Sequence, residues 1–288
     1  MPFKRNLEFY KIITSGLDFP QIIRDIYSRD PIPCPRGKIL GQEEYSIALN
    51  YFIEDDDFCQ GLITKLRTED LPKIGDFTSN TFSPLTLNPN QGVAEETFFC
   101  YYKRLGILCL LSAKNGVKWG TFSNYIRVAG NIEAFELGFI LARDAFAKFR
   151  AWNHISSVMT EFKVVNGASR RLRGRGVHDL LSHGLAMDSG NIVVIYKKHK
   201  RKGGLLANLA KRFSEIASTI PDLEPKSICI KGSIDNVHAD SVIDLISQRY
   251  YLPITLRGRG RYLDFEECSS LVQNKLIENR ELLRDLSN

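Results

Sequence analysis

The stretch TFFCYYKRLGILCLLS, running from Thr97 to Ser112, reads as two strands and a turn. Thr97–Tyr102 and Ile107–Ser112 are almost wholly aromatic or aliphatic, the composition of strands with a buried face. Arg104-Leu105-Gly106 between them makes the pair a hairpin. Just downstream, Asn115-Gly116 is a second turn signal. Trp119, Phe122, Ile126 and Ala129 then follow at spacings of three, four and three, one face of a helix. Gly130 is placed to end that helix in a left-handed cap. The stripe reads as core, and nothing in it asks for a cofactor. Antiparallel strands leading directly into a helix predict an α+β fold.

Upstream, Asn6 to Thr14 alternates as a strand. Asp18 is a helix N-cap with Pro20 in the first turn, and Ile22, Ile23 and Ile26 form the buried side. Pro31, Pro33 and Pro35 stop that helix by Asp30. Lys38–Leu40, Tyr45–Ile53 and Phe58–Leu66 are further strands, and Asp55-Asp56-Asp57 is a solvated turn. Asp70 to Gln91, rich in Pro, Ser, Thr and Asn, reads as a long exposed connection.

Beyond Gly130 strands and helices alternate. Strands are expected over Ile132–Leu141, Met159–Val165, Asn191–Lys200, Ile228–Gly232 and Tyr250–Leu256. Helices are expected over Ala145–His154, Val177–Leu185, from Gly203 to Pro221, and over Ala239–Ser247. A last helix begins at Asp264, where Asp264 and Glu267 suggest a capping box, and runs through Leu286. The boundary we expect lies at residue 130: a strand-rich domain over 1–130, then a basic α+β domain over 131–288.

Charge draws the same line. Residues 1–130 hold fifteen basic and fifteen acidic side chains, so the chain's net charge of +6 lies in the second half. It is narrower still. From Asn166 to Arg212 there are eleven cations: Arg170, Arg171, Arg173, Arg175, Lys197, Lys198, Lys200, Arg201, Lys202, Lys211 and Arg212. Only Asp179 and Asp188 oppose them, which leaves this stretch at +9 and the rest of the chain at −3. So concentrated an excess attracts polyanions. Arginine offers phosphate a rigid fork of donors, and lysine a mobile point charge. Glycines between the arginines let the backbone approach a surface, and the helix expected from Gly203 offers free N–H groups to an anion. Arg257, Arg259 and Arg261, again with glycines between, add to the groove. These fourteen residues are the expected polyanion-contacting set, and charge alone does not separate DNA from RNA or acidic lipid.

Other chemistries find less support. Phosphate-loop and dinucleotide fingerprints are missing, as are zinc-finger, homeodomain and RNA-recognition signatures. His178 and His183 stand five apart, which is not the helical zinc spacing. The six cysteines have no metal-ligand spacing and read as reduced structural thiols. Glu95-Glu96 and Asp55-Asp56-Asp57 are the visible carboxylates for a metal-dependent nuclease, but sequence neighbours diverge in direction. A third reading is an interaction subunit whose basic face meets an acidic partner protein. No apolar run reaches about 18 residues and no cleavable leader is evident, so a cytoplasmic protein without membrane insertion is expected.

Three passages carry a family resemblance. The first is Gly92-Val93-Ala94-Glu95-Glu96-Thr97-Phe98-Phe99 with the hairpin, Asn115-Gly116-Val117 and Phe122-Ser123-Asn124-Tyr125-Ile126. The second is the strand Asn191–Lys200 running into basic residues and a helix. The third is Ser227–Lys231, the elements after it, and the charged helix from Asp264. In their order and length these resemble the lambda-phage exclusion protein RexA family. More distantly they are similar to the ring-forming DNA-binding protein RdgC and to the B subunit of the Kiwa phage-defence system. The resemblance implies a dimeric, largely sequence-independent binder of double-stranded DNA in phage exclusion or defence, with no active site. A second defence protein is a possible partner on the same ground. In the last helix Val272, Leu276, Leu283 and Leu286, interrupted by Asn279, form a candidate self-association seam, with packing onto its own domain as the alternative.

Overall fold

Both faces of the hairpin are apolar because the fold covers both. The structure, a computed structural model, describes residues 2–29, 45–67, 71, 73–76, 78, 81–88, 91–111, 113, 115–152, 154–163, 191–197, 225–234, 241–257 and 263–287. Its larger sheet is antiparallel and has seven strands. They are β1 (Phe3–Ile12), β2 (Tyr45–Glu54), β3 (Phe58–Arg67), β6 (Val93–Tyr102), β7 (Ile107–Leu111), β8 (Leu137–Phe139) and β13 (Tyr251–Leu256). Across the sheet the order is β13-β1-β7-β6-β3-β2, with β8 also on β1.

Alternate residues of β6 serve opposite layers. Phe99 joins the layer under α1 (Phe19–Arg29) and α2 (Trp119–Ala129), where Phe19, Ile23, Ile26, Phe122 and Ile126 are buried. Phe98, Cys100 and Tyr102 join the layer under α4 (Phe265–Glu278) and α5 (Arg280–Ser287). Every residue of β7 is buried, as expected of a strand covered on both sides. Phe19 is the aromatic hub of the first layer: its ring lies 4.9 Å from Tyr101, 5.7 Å from Phe135, and 6.4 Å from both Phe99 and Phe122.

This sheet draws strands from both sides of residue 130. Arg5 of β1 is the register partner of Ile254 in β13, and Lys11 pairs with both Ile107 and Gly138. The seam Val272, Leu276, Leu283 and Leu286 is buried against it, so those side chains pack within the chain rather than offer an open dimer surface. Asn279 ends α4 and separates it from α5, its amide donating to the Lys275 carbonyl at 2.9 Å.

The smaller antiparallel sheet has the order β10-β9-β11-β12. Its strands are β9 (His154–Lys163), β10 (Asn191–Lys197), β11 (Pro225–Ser233) and β12 (Ser241–Asp244). Val158, Ile230 and Ile243 form its inner face with Ala145 and Trp152 from the region of α3 (Arg143–Ala151). Arg249 ties the turn after β12 to the large sheet. It reaches the Glu8 carboxylate at 3.1 Å and the Tyr10 hydroxyl at 3.2 Å, and lies over the Phe139 ring at 5.4 Å.

Several expectations need correction. Residues 241–247 are strand β12 and a turn, not a helix. Ser241-Val242-Ile243-Asp244 alternates out and in, with Ile243 wholly buried, and β11 offers it an edge. Of the expected strand over 132–141, Leu137–Phe139 pair as β8 and Leu141 makes an isolated bridge to Arg249. Gly130 caps α2 in the right-handed region, with φ −76°, and the left-handed residue is Asn131 at φ 50°. Glycine is required at 130 by proximity instead: a Cβ there would stand 2.6 Å from the Ile126 carbonyl oxygen. Asp264 caps α4 through the Glu267 N–H at 3.0 Å, but Glu267 does not reach back. Its carboxylate accepts from the Arg257 N–H at 2.8 Å. The connection over 70–91 carries a small exposed hairpin, β4 (Lys73–Asp76) with β5 (Thr81–Pro84). The expected elements Lys38–Leu40, Val177–Leu185 and Gly203–Pro221 lie outside the described residues.

Candidate nucleic-acid interface

Of the fourteen cations expected to meet DNA, Lys197 and Arg257 fall among the described residues. Arg170, Arg171, Arg173, Arg175, Lys198, Lys200, Arg201, Lys202, Lys211, Arg212, Arg259 and Arg261 lie outside them, as do His178 and His183. Lys197 is the last residue of β10, an edge strand of the small sheet. Arg257 is exposed and follows β13, an edge strand of the large one. Lys197 and Arg257 thus each stand at the end of an edge strand, where cations also hinder pairing with other chains.

Register adds a residue that linear charge does not reveal. Lys197 pairs with Ser157 of β9, and Ser157 pairs on its other side with Lys231 of β11. Lys231 pairs in turn with Val242 of β12. Ser157, Lys231 and Val242 share one face, opposite the buried Val158, Ile230 and Ile243. The exposure of Val193, Ile195 and Val242 marks it as the outward face. Lys231 is exposed. In the sequence it stands between Ile230 and Gly232 with no cationic neighbour but Lys226, five residues before, so only strand pairing brings it to the lysine-rich end of β10.

Four cations on or beside the large sheet are held by nearby carboxylates. Glu54 takes Arg24 at 2.9 Å and Lys103 at 2.6 Å, Asp57 takes Arg104 at 2.5 Å, and Glu95 takes Arg67 at 3.4 Å. Asp55 closes the acidic turn instead, accepting from the Asp57 and Phe58 N–H groups.

The carboxylates considered for metal chemistry do not converge. Glu95 and Glu96 are neighbours on β6 and so face opposite sides of the sheet. Glu95 is engaged by Arg67, while Glu96 accepts from the Leu263 N–H at 3.4 Å. Among the described residues no group of three or more His, Cys, Asp or Glu side chains is placed to hold a metal ion. A groove of about 290 Å³ lies between β2 and α4, lined by Tyr51, Ile53, Phe265, Glu266, Ser269, Ser270, Gln273 and Asn274. It bears a carboxylate, Glu266, and no cation among its lining residues.

The five described cysteines carry free thiols, four of them buried. Burial, with Glu54 nearby, pushes the Cys59 thiol up to about 12. Burial, with Glu267 nearby, does the same to Cys268. Neutral thiols are thus favoured in the fold. That stabilisation is present below the ordinary thiol range, about 8.5, and is lost as pH rises towards 12. Iodoacetamide at pH 8 is expected to leave Cys59 and Cys268 unmodified in the native protein and to label both in urea. Stoichiometric native labelling of either, read by mass spectrometry, would contradict this burial.

No helix among the described residues is long and apolar enough to cross a membrane. Compared with protein-family models and with curated proteins, the chain matches none.

Proposed function

We propose that this chain is a cytoplasmic, sequence-independent double-stranded DNA-binding protein that acts in phage exclusion or anti-phage defence. The observation that carries the DNA reading is the +9 charge between Asn166 and Arg212. Two carboxylates cannot neutralise eleven cations, whereas Arg24, Arg67, Lys103 and Arg104 around the large sheet each meet a carboxylate. The phage-defence role and the homodimer rest on the resemblance to the RexA family. The buried Val272–Leu286 seam leaves any dimer to other surfaces.

Phosphate contacts release counterions, so affinity falls with salt by about 0.9 log unit per contact for each tenfold rise. Labelled duplex DNA, single strands and RNA titrated side by side over a salt series are expected to give a steep slope. Duplexes of unrelated sequence should bind alike and ahead of the other two. A flat salt response on duplex DNA overturns the reading.

A further inference from the structure

We infer that the groove between β2 and α4 receives an extended, basic peptide segment of a partner protein, which joins the large sheet as an added strand beside β2. Among the described residues β2 is an edge strand. The turn that ends it fixes which of its backbone groups face that edge. Asp55 donates its N–H to the Phe58 carbonyl at 2.9 Å, so residues 55 and 58 are a hydrogen-bonded pair. Antiparallel pairs alternate in type, and the register continues as Glu54 with Cys59, Ile53 with Gln60 and Phe52 with Gly61. The N–H and C=O groups of Glu54 and Phe52 therefore point away from β3, towards the edge. Across the bulge at Asn50 the backbone is engaged differently, the Leu49 N–H going to the Tyr125 hydroxyl at 3.0 Å. The stretch on offer is thus Tyr51–Glu54, which holds neither lysine nor proline, the usual guards of an edge strand.

The groove supplies what an added strand needs on one of its faces. Tyr51 and Ile53, 42% and 37% exposed, line its floor, and the Tyr51 ring meets Phe265 at 4.4 Å. Side chains of a new strand on this face lie beside Tyr51 and Ile53, so an aliphatic residue of the peptide packs there. The wall is one face of α4, where Glu266, Ser270, Gln273 and Asn274 recur at helical spacing. The carboxamides and the hydroxyl both donate and accept, so they meet polar groups of a peptide whatever its sequence. Among the described residues that line the groove, Glu266 alone is charged. Its carboxylate favours a lysine or arginine on the peptide and repels an acidic segment. Strand addition of this kind takes affinity from the main chain and selects through alternate side chains. The assignment is independent of DNA binding.

Fluorescein-labelled peptides of alternating valine and threonine are titrated against the full-length protein by anisotropy. One has a central lysine, a twin has glutamate there, and another twin is N-methylated along its backbone. The lysine peptide is expected to bind saturably. The glutamate twin should bind about fivefold more weakly, because an exposed attraction becomes a repulsion. The N-methylated twin should lose binding with its donors. Glu266→Lys should invert the lysine–glutamate preference, and Ser270→Trp, at an exposed position in the groove, should abolish binding. The inversion is a ratio within one protein sample, so a loss of folded fraction does not imitate it. No saturable binding of the lysine peptide below about 1 mM, an N-methylated twin that binds as well, or an unchanged preference in Glu266→Lys overturns the assignment. If light scattering finds a wild-type dimer that Ser270→Trp makes monomeric, the occupant is a second copy and the partner peptide falls.

Discussion

Replacing Lys197, Lys198, Lys200, Arg201 and Lys202 together by alanine is expected to weaken duplex DNA binding by about four orders of magnitude at about 0.1 M salt. Five lost phosphate contacts flatten the salt slope by about 4.5, and that difference accumulates over the decade below about 1 M. The effect is large because few carboxylates offset these cations. Within Asn166–Arg212 the acids are Asp179 and Asp188 alone. A matched control is Arg280→Ala with Arg284→Ala in α5, where both cations already pair with Glu281 at 3.0 and 2.8 Å. That double variant should bind as the wild type does. Equal affinity for the quintuple variant and the wild type, measured by fluorescence anisotropy, would end the phosphate-binding account.

The second large effect concerns stability. Phe19→Ala is expected to cost about 3–5 kcal/mol, the usual range for deleting a buried aromatic ring. Phe19 is wholly enclosed, and its ring neighbours come from two other elements and a connection: Phe99 and Tyr101 on β6, Phe122 on α2, and Phe135 before β8. Their separate attachments to the sheet limit how far the site can collapse. The urea midpoint should fall by about 1–2 M at an unchanged slope. Phe19→Leu should recover much of the loss. A midpoint within a few tenths molar of wild type would show that the layer repacks freely.

How much of this was legible in the sequence depends on whether the deciding contacts are local. The Thr97–Leu111 hairpin, the stripe of α2 and the Asp18 and Asp264 caps are written in neighbouring residues, and each has the expected local form. Residues 241–247 were ambiguous because four strand residues fit a helical turn as well as an alternation. The edge of β11 decided between them. Nothing local announces that β1 takes β13 as a neighbour, because the two are separated by most of the chain. The net charge and its clustering were plain. Lys231 was invisible for the same reason as the β1–β13 pairing: its relation to Lys197 exists only across β9.

That β1 has β7 on one side and β13 on the other also orders events during synthesis. Translation proceeds at about 5–20 residues per second, so the roughly 240 residues from β1 to β13 take about 12–48 s to emerge. Throughout that interval the Phe3–Glu8 part of one flank of β1 has donors and acceptors with no strand to meet them, β8 reaching only Tyr10–Ile12, and the layer destined for α4 and α5 stays uncovered. A ribosome that stalls after residue 130 holds a nascent chain whose first strand can still be claimed by another molecule. The last strand thus acts as a latch on the large sheet.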